Sequence, residues 1–291
     1  MGVYDGAFVG SWAVGAGVVT RWQLRHDFER VAHDVYVARG VRLDAVGRAM
    51  AAVHWTKGSG VLVGLSAAAM LGSKWIDDEL PAEIAVPTYR RPPDWISCRQ
   101  ARIAEHEQCF VEDFPVTTPK RTAFDLARHL PLQRAVPALD ALCRTTGLTP
   151  RDVLGFAAEH PGERGCAQVR QVMPLVDTGA ESPPESLTRL LIVRSGLPAP
   201  TTQIVVRHSD GGFFARLDMG WPEWRVGIEY DGAQHWTDPT QRTKDIDRSA
   251  ILADYGWQII RVGANLLYRR PHILLDRVHH ALAARGVLLN T

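Results

Sequence analysis

Arg216-Leu217-Asp218-Met219-Gly220-Trp221-Pro222-Glu223-Trp224-Arg225-Val226-Gly227-Ile228-Glu229-Tyr230-Asp231-Gly232 is the stretch that decides how this chain is read. Successive side chains of a strand point to opposite faces, so its alternation predicts two β-strands joined by a tight turn at Pro222-Glu223. On the first strand Phe213, Ala215, Leu217 and Met219 share one face, and Phe214, Arg216 and Asp218 share the other. On the second, Val226, Ile228 and Tyr230 lie opposite Arg225, Gly227, Glu229 and Asp231. Where the polar sides coincide, Asp218 comes close to Glu229 and Asp231. Three carboxylates on one patch repel each other unless water bathes them or a divalent cation sits among them. A solvated sheet face accounts for the alternation equally well. Just past the strand end, Gly232-Ala233-Gln234-His235-Trp236 add an amide and an imidazole, where active-site loops often lie.

The flanking segments supply the rest of a domain. Ser182-Pro183-Pro184-Glu185 matches a capping box, with Ser182 as N-cap, Pro183 at the first helical position and Glu185 reaching back. Gln203 to Arg207 is a strand, and Ser209-Asp210-Gly211-Gly212 a hairpin turn. Asp238-Pro239 opens a further helix that ends near Gly256, with Gln241, Asp245 and Arg248 on one face. Trp257 to Val262 is a buried strand, followed by a helix from about Pro271 to Arg285. The order helix, three strands, helix, strand, helix packs naturally as a mixed sheet flanked by helices.

Upstream, Thr20 is placed to cap a short helix, and Phe28 to Val37 to form a hairpin turning at His33-Asp34. A helix followed by a hairpin is compatible with a degenerate winged helix over residues 1–40. Residues 41–177 read as an α+β scaffold that becomes helical from Thr118-Pro119, an N-cap followed by proline at the first helical position. With a boundary near Asp177-Thr178-Gly179, the last domain spans 181–291. The fold class expected is α/β within the last domain and α+β overall.

Composition narrows the function classes. Hydrophobic residues make up 46% of the 291 and charged residues 22%, ordinary for a globular protein. The net charge is +1. Residues 181–291 hold 13 Lys+Arg against 12 Asp+Glu, so any polyanion must be met by a local stripe rather than by bulk charge. Cys98, Cys109, Cys143 and Cys166 are scattered without CxxC spacing, which argues against a zinc ribbon or a disulfide framework and suits a reducing cytoplasm. No apolar run reaches the ~20 residues that span a bilayer, and the N-terminus lacks the pattern of a signal peptide. A cytoplasmic protein with no membrane association is expected.

Taken together, Glu185, Arg216-Leu217-Asp218, Val226 to Gly232 with Gln234 and His235, the Asp245-to-Arg248 helix and Gly256 to Val262 resemble the PD-(D/E)xK nuclease superfamily. The resemblance covers roughly residues 181–285. It is strongest to the very-short-patch-repair endonuclease branch and the related bacterial domain of unknown function 559. It implies a restriction-endonuclease-like fold and hydrolysis of DNA phosphodiester bonds with Mg²⁺ or Mn²⁺. Asp218 would be the principal metal ligand, Glu229 the acidic member of the ExK motif, and Asp231 a further ligand. Asp231 stands where the motif has lysine. The very-short-patch branch also lacks that lysine and uses a nearby histidine, which makes His235 the candidate general base or transition-state donor. Lys244 or Arg248 would supply positive charge to the phosphate, with Gln234 and Asp245 beside the substrate and Glu185 a further catalytic candidate. Each has a plainer role: Asp218 and Glu229 as exposed strand carboxylates, Asp231 as an acceptor in an Asp-Gly turn, Glu185 as a helix cap, His235 as a packed polar residue, and Asp245 with Arg248 as a helix-face pair.

Val35 to Gly40, Ser66 to Ala69 and Val116 to Thr122 give the N-terminal part a looser resemblance to the antitoxins of AbiEi-type toxin–antitoxin systems, which implies binding to DNA or to a partner. Two functions follow. The first is a metal-dependent DNA endonuclease with an antitoxin-like N-terminal region, acting with a cognate toxin or a repair partner. The alternative is a non-catalytic DNA-binding regulator or antitoxin that keeps a nuclease fold as scaffold. The sequence does not set the oligomeric state.

Overall fold

The computed structural model describes residues 6–208, 210–232 and 248–288. The chain divides into two compact units, Met1–Pro174 and Leu175–Thr291. It is a mixed α/β protein, α+β overall, as the sequence leads one to expect. Among the described residues no helix is long and apolar enough to cross a membrane.

The first unit opens with β1 (Phe8–Val9), α1 (Gly10–Gly15), α2 (Arg21–His26), β2 (Phe28–Ala32) and β3 (Val35–Ala38), with the strands in the order β1-β3-β2. Thr20 caps α2 in a full capping box with Gln23, and the hairpin turns at Asp34, whose φ is 61°. This segment does not stand apart. Ala32 and Val35 are buried in the same core as Ala49 and Trp55 of α3 (Ala45–Trp55), and the Trp95 indole N–H donates to Val31 O at 2.9 Å. A five-stranded sheet follows, in the order β6-β5-β4-β8-β7. Its strands are β4 (Val61–Leu62), β5 (Ala82–Val86), β6 (Ile96–Gln100), β7 (Gln108–Val111) and β8 (Phe114–Thr117), and α4 (Gly64–Met70) lies between the first two in sequence. Four helices complete the unit: α5 (Pro119–His129), α6 (Leu132–Thr146), α7 (Pro150–Glu159) and α8 (Cys166–Val172). Thr118 caps α5 and Pro119 starts it.

The inner face of α5 carries charge. Arg121 is buried, with Nη1 2.6 Å from Glu107 and Nε 3.1 Å from Asp125. Asp125 also takes Arg99 at 3.0 Å and Arg128 at 2.8 Å, and His160 Nε2 stands 3.0 Å from Glu107. Burial alone would raise the Asp125 pKa, but the charges of Arg121, Arg99 and Arg128 outweigh it, so the carboxyl sits below the usual carboxylate range.

The second unit consists of α9 (Pro183–Arg194), β9 (Thr201–Arg207), β10 (Phe213–Trp221), a 3₁₀ turn at Pro222–Trp224, β11 (Val226–Tyr230), helical residues 248–254 (α10), β12 (Gln258–Val262), α11 (Ala264–Arg269) and α12 (Pro271–Ala283). Its sheet has the order β12-β11-β10-β9. β9, β10 and β11 are antiparallel, and β12 is parallel to β11. Two apolar clusters flank it. Ile228, Ile260 and Val262 pack with Ile192 of α9, Leu266 of α11, and Leu274 and Val278 of α12. Ile204, Val206, Leu217 and Ile259 pack with Leu252 of α10. Ile259 and Ile260 are consecutive on one strand, so the two clusters lie on opposite faces of the sheet.

The hairpin at the centre of this unit needs two glycines. Gly220 and Gly227 pair across β10 and β11. A Cβ on Gly220 would strike the Val226 carbonyl, and Gly220 has φ 155°. A Cβ on Gly227 would run into Leu217 and Ile259. Close backbone approach is what glycine permits.

One prediction concerns the first unit. Replacing Arg121 by alanine leaves Glu107 and Asp125 buried with less compensation, which should cost about 3–5 kcal/mol. Chemical denaturation at pH 7 reads this as a lower midpoint. Because the folded pKa of Asp125 lies below its unfolded value, its contribution is present above the unfolded pKa and is lost as pH falls through the folded one. The gap between parent and variant should therefore narrow below about pH 4.

Candidate functional site

β10 does not keep the strict alternation expected of it. Leu217 packs with α10 on one face, whereas Met219 packs with Trp221 and Ile228 on the other. The side chains change face at Asp218, and the backbone pairing is broken there on both sides. Toward β9 the ladder has Leu217 opposite Ile204 and Met219 opposite Thr202, with no pair at Asp218. Gln203, which would face it, has φ 53°. Toward β11 the pairs are Trp221–Val226, Gly220–Gly227 and Met219–Ile228, and the ladder ends. Beyond that point Asp218 Oδ2 accepts the Tyr230 N–H at 2.7 Å. A side-chain oxygen thus takes the place of a strand carbonyl and satisfies a donor that the ladder leaves open. A non-glycine residue in the left-handed region costs about 1–3 kcal/mol, and such residues cluster at functional sites.

Three carboxylates surround this break. Burial comes first in raising the Asp218 pKa, and the charge of Glu229 adds to it, against the Tyr230 N–H, Arg248 and Arg216. Glu185 is 8% exposed, and its pKa is also raised, by burial first and then, among other causes, by the charge of Asp218. Glu185 is held by the Glu181 N–H at 2.8 Å, the Ser182 hydroxyl at 2.7 Å and Gln203 Nε2 at 3.3 Å. It thus reaches back to the N–H of Glu181, one residue before the N-cap. Its role as a cap and its place beside Asp218 coexist.

One cation enters the group. Arg248 Nη2, on α10, donates to Glu229 Oε1 at 2.5 Å and to the Arg216 carbonyl at 3.0 Å. Arg216 itself pairs with Glu181 at 2.8 Å. Asp231 lies just past β11, where its N–H donates to Val262 O at 2.9 Å. Gln234, His235, Lys244 and Asp245 lie outside the described residues. Sequence reasoning did not single out two neighbours. Arg261 is beside Glu229 across the β11–β12 pair. Gln203 donates to Glu185 while its Oε1 is buried without a hydrogen-bond partner among the described residues. Strand register locates Arg261, but no sequence pattern marks Gln203.

Among the described residues no group of three or more His, Cys, Asp or Glu side chains could hold a metal ion. The donor set that remains is a pair. Asp218 gives Oδ2 to Tyr230 and Glu229 gives Oε1 to Arg248, so Oδ1 of Asp218 and Oε2 of Glu229 have no donor among the described residues. Mg²⁺ takes hard oxygen ligands and is held by one or two carboxylates with several retained waters. Two partly buried carboxylates, each with one oxygen unengaged among the described residues, have the donor chemistry such an ion takes.

Two Mycobacterium tuberculosis proteins are similar to this chain: "Uncharacterized protein MT2308" of strain CDC 1551 / Oshkosh and "Uncharacterized protein Rv2248" of strain ATCC 25618 / H37Rv. Each is 30% identical over 249 residues, spanning 86% of this chain and 90% of the relative. No protein-family model and no solved structure matches the chain.

The raised pKa of Asp218 carries a stability prediction. Its folded pKa lies above the unfolded one, so the penalty is absent below the ordinary value near 3.8 and complete above the folded value. Asp218→Asn keeps an acceptor for Tyr230 and removes the charge. It should stabilise the protein at pH 7 by about 0.5–2 kcal/mol, the usual gain on relieving a strained functional site. Thermal unfolding measures this, and an asparagine variant less stable than the parent at pH 7 would contradict it.

Proposed function

The chain belongs to the same family as these two Mycobacterium tuberculosis proteins, and for it we propose a metal-dependent DNA endonuclease of the PD-(D/E)xK, very-short-patch-repair-like type. The observation that carries this reading is the pair of oxygens, one on Asp218 and one on Glu229, without a donor among the described residues, on two carboxylates that meet where the strand pairing is broken. Asp218 and Glu229 would hold Mg²⁺ or Mn²⁺. When bound, the ion acidifies a water and neutralises charge that builds up on a phosphoryl oxygen.

The chain's own residues account for several further needs. The Tyr230 N–H fixes the orientation of Asp218. Arg248 fixes Glu229, and its guanidinium would supply to the phosphate the positive charge that the missing motif lysine does not. Glu185, with a raised pKa, can keep a proton more readily than an ordinary glutamate does and so limits the negative charge around Asp218. His235 remains our candidate for moving the proton of the attacking water, and Asp231 a candidate further ligand. The setting is the cytoplasm.

A second reading is favoured by the first unit. Trp12 and Trp22 are 69% and 64% exposed, and Arg21 and Arg25, on α2 with Trp22, line a cleft together with Arg30 and Arg39. Exposed aromatics among arginines suit nucleic-acid contact. A DNA-binding regulator or AbiEi-type antitoxin that keeps a nuclease fold would use this surface and no metal.

One assay separates the two. Supercoiled plasmid incubated with the protein and Mg²⁺ or Mn²⁺ should be nicked. Asp218→Ala should reduce the rate by more than the roughly 10–100-fold that loss of an outer-shell partner costs. Arg248→Ala should reduce it substantially as well. DNA retention with no cleavage under any divalent ion, unchanged by Asp218→Ala, is the result expected of the regulator.

A further inference from the structure

The sheet of the second unit ends in β12, and an edge strand presents a row of N–H and C=O groups with no strand partner. A cleft of about 600 Å³ runs along that edge. Ser249 and Ala253 of α10 line one wall, Arg277 and His280 of α12 the other, and Gln258 to Arg261 the floor. Among the described residues no carboxylate lines it. Arg261 donates from Nη2 to Ser249 Oγ at 2.8 Å, and neither Arg261 nor Arg277 has an ion-pair partner among the described residues. His280 Nδ1 donates to the Asp276 carbonyl at 2.7 Å, so its Nε2 donates to a ligand in the protonated form of the ring.

The position of the cleft gives its charge a purpose. Glu229 and Arg261 are paired residues of β11 and β12. The cleft therefore begins one strand spacing, about 4.8 Å, from Glu229, with Asp218 on the next strand, β10. Two guanidiniums without ion-pair partners among the described residues, an imidazole that donates from Nε2 when it is protonated, and outward backbone N–H groups are donor types that hold phosphate oxygens. An anionic strand lying along β12 would pass from these donors to the two carboxylates.

We propose that the β12 cleft is a phosphodiester-backbone subsite, in which Arg261, Arg277 and His280 hold phosphates of the DNA strand that runs to Asp218 and Glu229. The proposal rests on the nuclease reading above and adds the surface that positions the substrate. Charge complementarity selects the occupant. An acidic protein segment could meet the same cations, but it would leave the adjoining carboxylates facing a second row of negative charge with no cation-bridged phosphate to join them.

The test uses the full chain and a fluorescein-labelled DNA duplex in EDTA, with binding read by anisotropy across a salt series. Each lost phosphate contact reduces the salt slope by about one. The double variant Arg261→Gln/Arg277→Gln should bind on the order of 10-fold more weakly or worse, with a slope lower by about two. The Arg261→Lys/Arg277→Lys variant should retain most of the slope, and thermal unfolding of all three proteins should coincide. Unchanged affinity and slope in the glutamine variant, while the parent cleaves plasmid in an Asp218-dependent way, overturns the subsite and leaves the nuclease standing. No cleavage and no DNA binding by the parent overturns both. Binding of poly-glutamate that depends on Arg261 and Arg277, with DNA binding that does not, also overturns the subsite in favour of an acidic protein partner.

Discussion

The hydrogen bond from the Tyr230 N–H to Asp218 is the contact on which the arrangement of the second unit turns. A strand that loses its pairing on both sides at one residue must satisfy the groups it releases, because a buried unpaired N–H costs about as much as a lost hydrogen bond. Asp218 meets that need with one oxygen and keeps the other. The same break lets the side chains change face, so that Leu217 serves the α10 core and Met219 the α12 core. Backbone accounting thus places a carboxylate where a regular strand would have put only another face residue.

Charge then shapes the surroundings. The charge of Glu229 helps to raise the Asp218 pKa, the charge of Asp218 helps to raise that of Glu185, and Arg248 is bonded directly to Glu229. A folded protein tolerates such crowding when a function uses it. The first unit handles buried charge differently. There Asp125 has three arginines within salt-bridge reach, and its pKa falls rather than rises. One cluster is internally compensated and structural. The other gathers carboxylates whose pKa values rise, with one oxygen of Asp218 and one of Glu229 unengaged among the described residues.

Much of the second unit was legible in the sequence. The capping box at Ser182, the hairpin around Pro222 and the succession of elements follow from local signals of turn chemistry and apolar periodicity. Asp218 and Glu229 were legible as a pair because strand alternation gives parity. The face change at Asp218 was not, because it depends on a left-handed Gln203 on another strand, a conformation that glutamine rarely adopts. Arg261 was missed for a related reason: its closeness to Glu229 comes from parallel pairing across β11 and β12. The buried network around Arg121 was equally hidden, since it joins Glu107, Arg99 and His160 from separate elements to one face of α5.

The central claim is that Asp218 and Glu229 jointly offer oxygen to a divalent ion. Isothermal titration of Mn²⁺ into the full chain, with Asp218→Asn as the comparison, tests it most directly. A saturable single-site heat in the parent that vanishes in the variant is the predicted result. The same heat in both proteins, or none in the parent even with DNA present, would contradict it.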